Sequence, residues 1–335
     1  SSVQLFKDRA CAAKPNFRLT SENPADVARI CAWLDGLPLA IEIAAAQTRW
    51  HAPDQLLAQL SDRLVALTGG PRDLSPRQQS LRGALDWSYG LLDEPEKRLF
   101  NVLGIFSDGC TEDAIYDARG LIFNAESGTL AQIENLKTKI HNLVEKSLLR
   151  HELTPEGQAR YTMLETMRDY ARDQLAASGN LERARQWHCE YYLKFAQAAR
   201  PNLRQGGDQA HWLDRMEREH NNLRAALAWT IETPTRAAVA MELGWAAHIF
   251  WLERSYITEA RRWLDQILAL DPAPTATRAD LLRYASDYAN MQGDYNSARG
   301  FEEDGLAISK ALGDEAGIYH SLDGLAMLAG MQGDY

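Results

Sequence analysis

The sequence predicts a mainly α-helical chain: a helical bundle, then helices closed by a short β-hairpin, then an α-solenoid of helix pairs. Three observations carry that expectation. Apolar residues recur at helical spacing through most of the 335 residues. Two short segments, Ser147–Arg150 and Arg160–Met163, interrupt that period around a polar loop at Glu152–Gln158. Near the end, Gln292-Gly293-Asp294-Tyr295 recurs as Gln332-Gly333-Asp334-Tyr335, 40 positions later, and helix pairs at such a period build solenoids.

Size and composition bound the function. A chain of 335 residues is long enough for two or three domains with sizeable cores. With 36 Lys and Arg against 46 Asp and Glu, the net charge of −10 argues against a nucleic-acid surface as the dominant feature. No run is long and apolar enough to cross a membrane, and Ser1 does not open a signal peptide. Cys11, Cys31, Cys110 and Cys189 are scattered without paired metal spacing and read as buried thiols of a reducing, cytoplasmic compartment.

In the first block, helices are expected at Val3–Ala12, Pro24–Leu34, Pro38–Trp50 and Pro53–Leu67. Proline opens three of them, where its missing N–H costs nothing. Asn23 is placed to cap the second. Val27, Ile30, Cys31 and Leu34 form its apolar stripe, and Leu56, Leu57, Leu60 and Leu64 form that of the last. Asp35 and Gly36 stop one helix and Pro38 starts the next. A proline at that mouth is a rigid, donor-free surface on which a flat ring could pack; a plain helix-turn-helix corner explains it too. Thr68–Pro76, rich in Gly, Pro and polar residues, reads as a linker.

Helices at Gln79–Leu91, Glu94–Phe106, Glu112–Ala118 and Leu130–Glu145, then the hairpin, then a helix at Glu165–Ala177, make a winged-helix arrangement. Ala118–Thr129 is left ambiguous. A winged helix invites a DNA-binding reading, yet Lys137, Lys139, His141 and Lys146 are offset by Glu134 and Glu145. A solvated helix face explains that balance equally well. Helical segments with aromatic anchors (Trp187, Tyr191, Tyr192, Phe195, Trp212) follow to about Ala228. His220 has no second histidine at ligand spacing and reads as structural or surface. The solenoid then pairs Ala238–Leu252 with Thr258–Leu270, and Ala279–Met291 with Ser297–Leu312, and ends on Ala316–Met331. Arg262, Arg283 and Arg299 either line its concave face or are ordinary surface charge.

The segment Gly36–Ala46, GLPLAIEIAAA, resembles the "GLPLA" signature of the signal-transduction ATPases with numerous domains. Leu67–Gly109, Tyr161–Ala171 and Arg218–Trp229 follow in the order found in bacterial ATPase-regulators that join such a nucleotide module to tetratricopeptide repeats. The resemblance implies a helical domain at residues 1–74 that follows a nucleotide-binding core, and a winged helix at 75–179. A helical spacer at 180–234 and tetratricopeptide-like repeats at 235–335 would complete it. It implies that Gly36, Leu37 and Pro38 lean toward a nucleotide. Met163, Leu164 and Glu165 occupy the place of the "MHD" regulatory motif. Leu164 stands where that motif has histidine and Glu165 where it has aspartate; leucine donates no hydrogen bond, which favours a packing role.

No GxxxxGK[ST] loop is present, so the chain lacks a phosphate cradle and is not expected to be an enzyme or to hold a cofactor by itself. The resemblance implies ATP or ADP with Mg in the intact protein, which would be a weakly hydrolysing ATPase. The expected function is the regulatory portion of such an ATPase, acting in transcriptional regulation. Its expected partners are an N-terminal nucleotide-binding core missing from this chain, a protein or small-molecule inducer at the repeats, and other copies in the activated intact protein. No membrane is expected among them, and direct DNA binding by this chain is not expected. A DNA-binding winged-helix transcription factor and a repeat scaffold are the alternatives.

Overall fold

The structure, a computed structural model, describes residues 2–20, 23–34, 36–59, 76–123, 130–205 and 208–332. Two compact units divide the chain, Ser1–Ala184 and Arg185–Tyr335.

Unit 1 begins with a bundle of α1 (Ser2–Ala13), α2 (Pro24–Trp33), α3 (Pro38–Ala46) and α4 (53–59). Phe6, Val27, Ile30, Leu34, Ile41 and Leu56 are wholly buried there, and Trp87 of α5 (Pro76–Gly90) enters the same core. Burying each such side chain contributes about 1.5–3 kcal/mol, so this stripe is what closes the bundle. The prolines stand at the first turns of α2 and α3 as expected. Helix α3 ends four residues early: Thr48 Oγ1 donates to the Ala45 carbonyl at 2.7 Å and the chain tightens into a 3₁₀ turn, Gln47–Arg49. Asp35, Leu60, Leu64 and positions 68–75 of the expected linker lie outside the described residues.

The rest of unit 1 runs α6 (Glu94–Leu103), β1 (Cys110–Thr111), α7 (Glu112–Asp117), α8 (Arg119–Phe123), α9 (Leu130–Glu145), β2 (Arg150–Leu153), β3 (Ala159–Thr162) and α10 (Glu165–Ala177). The sheet has the order β1-β3-β2, all antiparallel, with Cys110 opposite Tyr161 and Arg150 opposite Thr162. The first hairpin strand begins three residues later than its expected start at Ser147. Ser147 takes φ +59°, and the N–H groups of Leu148 and Leu149 both return to the Leu143 carbonyl, at 2.9 and 3.2 Å. Residues 147–149 therefore terminate α9 before the strand can start. Strand β1 was not expected at all. Two residues cannot show a period, and the strand depends on Gly109, at φ +77°, where a Cβ would stand 2.4 Å from the Tyr161 carbonyl oxygen. The ambiguous stretch contains α8, and 124–129 lie outside the described residues.

Unit 2 is helical among its described residues: α11 (Leu181–Gln205), α12 (Gln209–Arg218), α13 (His220–Thr230), α14 (Ala237–Glu253), α15 (Ile257–Leu270), α16 (Ala276–Met291), α17 (Tyr295–Leu312) and α18 (Glu315–Gln332). The helices pack as repeat-like pairs, and polar side chains tie each pair to the next about one period along the chain. Tyr288 donates to the His248 carbonyl at 3.0 Å, Trp245 Nε1 to Asp280 at 2.9 Å, and Arg261 to Gln292 at 2.9 Å; Arg254 pairs with Asp214. The Gly-Asp-Tyr corner caps α17, since Asp294 Oδ1 accepts from the Ser297 N–H at 3.2 Å. Of its second copy, residues 333–335 lie outside the described residues. Arg283 is held by Asp280 at 2.9 Å, Arg262 lies over the Trp263 ring, and Arg299 also has partners.

Glu302 of α17 is 3% exposed and hydrogen-bonds Ser286 and Ser321, beneath Gly324 of α18. A Cβ at Gly324 would come within 2.7 Å of its carboxyl carbon, so only glycine admits the acid. Burial, followed by the nearby Asp287, pushes the carboxyl up to about 7, against the two serines and Arg283. Because the folded state holds this proton more tightly than the unfolded chain, its contribution is full at low pH and declines between the ordinary value and about 7. Thermal melting from acid to neutral pH should show Glu302→Gln gaining on the parent across that window. A constant difference between the two would exclude a titrating Glu302.

Candidate nucleic-acid interface

Helix α9 is amphipathic. Leu136, Ile140 and Leu143 are buried, while Glu134, Asn135, Lys137, Thr138 and His141 are exposed on the opposite side. What fixes its orientation is an acidic socket at the start of α6. Asp93 and Glu96 form a capping box: Asp93 Oδ1 accepts the Glu96 N–H at 2.9 Å and Glu96 Oε2 accepts the Asp93 N–H at 3.1 Å. Glu96 also accepts from Asn142 and from Lys146, each at 2.8 Å, and Lys139 pairs with Asp93. Burial alone would raise the Glu96 carboxyl; hydrogen bonds from Lys146, Asn142 and the Asp93 N–H outweigh it and hold the group below its ordinary value.

Two of the four cations noted on this helix are thus turned inward, and the outward face is left with Lys137 and His141. Glu145 is held by Arg49 of the bundle at 2.7 Å and by His141 at 3.0 Å. Beside α9, β2 exposes Arg150, His151, Glu152 and Leu153, the last 67% exposed, and the wing loop closes with the Thr154 N–H on the Gln158 carbonyl at 2.9 Å. At the wing base, Arg160 donates to the Asp108 carbonyl at 2.8 Å and so anchors the start of β1.

The two motifs of expected regulatory residues are placed as follows. Gly36 has φ +67° and its N–H closes on the Cys31 carbonyl at 3.0 Å; Leu37 is extended, and Pro38 is the exposed first residue of α3. Met163 and Glu165 line a cleft of about 210 Å³ together with Cys110 and Arg168. Leu164, in extended backbone at the cap of α10, lines a different one of about 290 Å³ with Arg9 and Glu42. Neither cleft is lined by Gly36, Leu37 or Pro38. The corner is pinned by Arg168, which donates to the Ser107 carbonyl at 2.7 Å and stands 3.6 Å from Glu165.

His220 is buried among Phe250, Tyr256 and Glu259, and burial lowers its pKa, so it is a neutral core histidine. Among the described residues no group of three or more His, Cys, Asp or Glu could hold a metal ion, and no helix is long and apolar enough to cross a membrane. Asn135, Thr138 and Arg49 had not been singled out in the sequence. The signal for the first two was their position opposite the Leu136-Ile140-Leu143 stripe; Arg49 gave none, because its partner is 96 positions away.

Residues 92–176 match the family model described as a winged helix-turn-helix domain. Over 268 residues, 80% of this chain, the sequence is 37% identical to a protein of Mycobacterium tuberculosis provisionally named an HTH-type transcriptional regulator, and to its counterpart in Mycobacterium bovis. An uncharacterized M. tuberculosis protein is 32% identical over 185 residues, 54% of this chain and 44% of that protein. The chain spans 29% of the length of the named regulators. A crystal structure of a signal transduction ATPase with a tetratricopeptide repeat sensor from Pyrococcus horikoshii aligns over 99% of this chain and 57% of its own. At 12% identity and a TM-score of 0.36, that likeness bears on neither fold nor activity.

These matches overturn the expectation that the chain's partners exclude DNA. The winged helix-turn-helix match and the regulator relatives point toward DNA binding rather than against it. Summed charge misled because it weighs only attraction to phosphate. It counted Lys139 and Lys146, which the socket consumes, and Glu145, which Arg49 neutralises, and it gave no weight to Asn135 and Thr138, side chains of the types that read base edges.

Removing Glu96 would leave Lys146 and Asn142 without their shared acceptor. Glu96→Ala should cost about 3 kcal/mol of stability, measured by denaturant unfolding, with Glu96→Gln losing less. Since the folded carboxyl lies below its ordinary value, the socket's contribution is full above that value and is lost as pH falls through the folded pKa. The gap between Glu96→Gln and the parent should therefore close in acid.

Proposed function

We propose that this chain is the DNA-binding portion of a bacterial transcriptional regulator, with α9 entering the major groove and the β2–β3 wing lying along the backbone. The observation that carries the reading is the outward face of α9, held rigid by the Glu96 socket. Asn135, Lys137, Thr138 and His141 offer hydrogen-bond donors and acceptors suited to base edges, and Arg150 stands at the wing for phosphate. Because few cations face outward, affinity rests on a small phosphate footprint and the salt dependence is shallow.

Fluorescence anisotropy with mixed-sequence duplex DNA tests it. The expected slope of log K against log salt is about −2 to −3, and Lys137→Ala should lower its magnitude by about one. Asn135→Ala should instead alter sequence preference among selected duplexes. Absence of binding at low salt, or an unchanged slope in Lys137→Ala, would exclude the reading.

A second, finer reading has its own support. The order of the GLPLA, winged-helix and repeat segments favours a regulator coupled to nucleotide, in which ATP or ADP with Mg binds the intact protein and Pro38 offers its exposed ring face to the base. Met163, Leu164 and Glu165 then form a packing joint, consistent with Leu164 facing a cleft shared with Glu42, one turn beyond Pro38. Nucleotide titration of the intact protein and its Pro38→Gly variant tests this. Equal affinities would remove Pro38 from the site.

A further inference from the structure

On the side of α6 turned away from the Glu96 socket lies a cleft of about 430 Å³, bounded by the end of α5, by α8 and by the last turn of α10. Glu94, Lys97, Arg98, Asn101 and Val102 follow one another along this face at helical spacing. We propose that this cleft binds a small organic carboxylate bearing a hydroxyl or amine donor.

Two buried polar atoms in the lining carry the assignment. The Arg98 Nε atom is buried and has no hydrogen-bond partner among the described residues. Asn101 is only 7% exposed; its amide nitrogen donates to the Tyr89 hydroxyl at 3.0 Å, while its Oδ1 is buried with no partner among the described residues. Leaving such groups unpaired is costly, and here an orphaned donor and an orphaned acceptor lie one turn apart on one helix face. A ligand carboxylate accepts from Arg98, and its hydroxyl or amine donates to Asn101. Lys97 is not an equivalent anchor, since Glu94 already holds it at 2.8 Å. Val102, Leu121 and Leu175 supply apolar wall for the body of the ligand, and Tyr89 supplies a ring. The volume lies within the range of small-molecule sites.

Isothermal titration of the 335-residue chain with 3-hydroxybenzoate, benzoate and 3-hydroxybenzamide separates the two contacts. The first should bind saturably with Kd about 0.1–1 mM. Benzoate lacks the donor and the amide lacks the charge, so each should bind about ten-fold more weakly. Arg98→Met should abolish binding of 3-hydroxybenzoate, and Arg98→Lys should restore part of it. Asn101→Leu should erase the preference for 3-hydroxybenzoate over benzoate, with melting curves confirming that the variant folds. No saturable heat with 3-hydroxybenzoate, or unchanged affinity in Arg98→Met, would overturn the proposal. Neither result depends on whether α9 holds DNA.

Discussion

The Glu96 carboxylate fixes the orientation of α9, and with it the surface this domain can present. One acid closes the capping box of α6, accepts from Asn142 and Lys146 of the α9 end, and is 3% exposed. Buried charges persist only where partners satisfy them, so the socket tolerates little rotation of α9 about its own axis. The consequence appears on the far side of the helix. Cations drawn into the socket are unavailable outside, and what faces solvent is a set of hydrogen-bonding side chains rather than a basic stripe. The same helix is tied at its end to the bundle, through Glu145 and Arg49.

Unit 2 solves a different problem with related means. Stacked helix pairs have only neighbours to pack on, and the buried polar groups between them have to be satisfied locally. His248 stacks flat on Tyr284, and Tyr288 reaches its carbonyl; burial, with Arg200, Arg283 and Arg204 nearby, lowers the His248 pKa to about 3. Burial likewise takes His188 to about 4. These histidines are neutral structural groups, and the polar ties they make set the repeat spacing as firmly as the aliphatic stripes do. Glu302 is the exception, an acid admitted by a glycine on the next helix and left half-satisfied.

Helices with long apolar stripes were legible because their period is local: α9 and α10 have the bounds the periodicity predicts. Prolines at first turns and the Gly-Asp-Tyr corner were legible for the same reason. Strand β1 was not, because two residues have no period and its partner lies 50 positions downstream. The hairpin was found but its first strand was placed early, since the left-handed Ser147 that delays it is an uncommon backbone choice for a serine. The functional face was misjudged for a physical reason of the same kind. Counting charges along α9 treats Lys137 and Lys146 alike, whereas burial and pairing with Glu96 separate them completely.

By itself, then, the sequence determined which segments are helical, where most of them start, and that the last third repeats, because propensity, capping and apolar period act within a few residues. Only the tertiary structure decided which lysines of α9 are spent inside the fold, which face of α6 is left with unpaired polar atoms, and which glycine admits a buried acid. Those outcomes depend on contacts between residues tens of positions apart, and no local pattern encodes the desolvation and pairing that settle them.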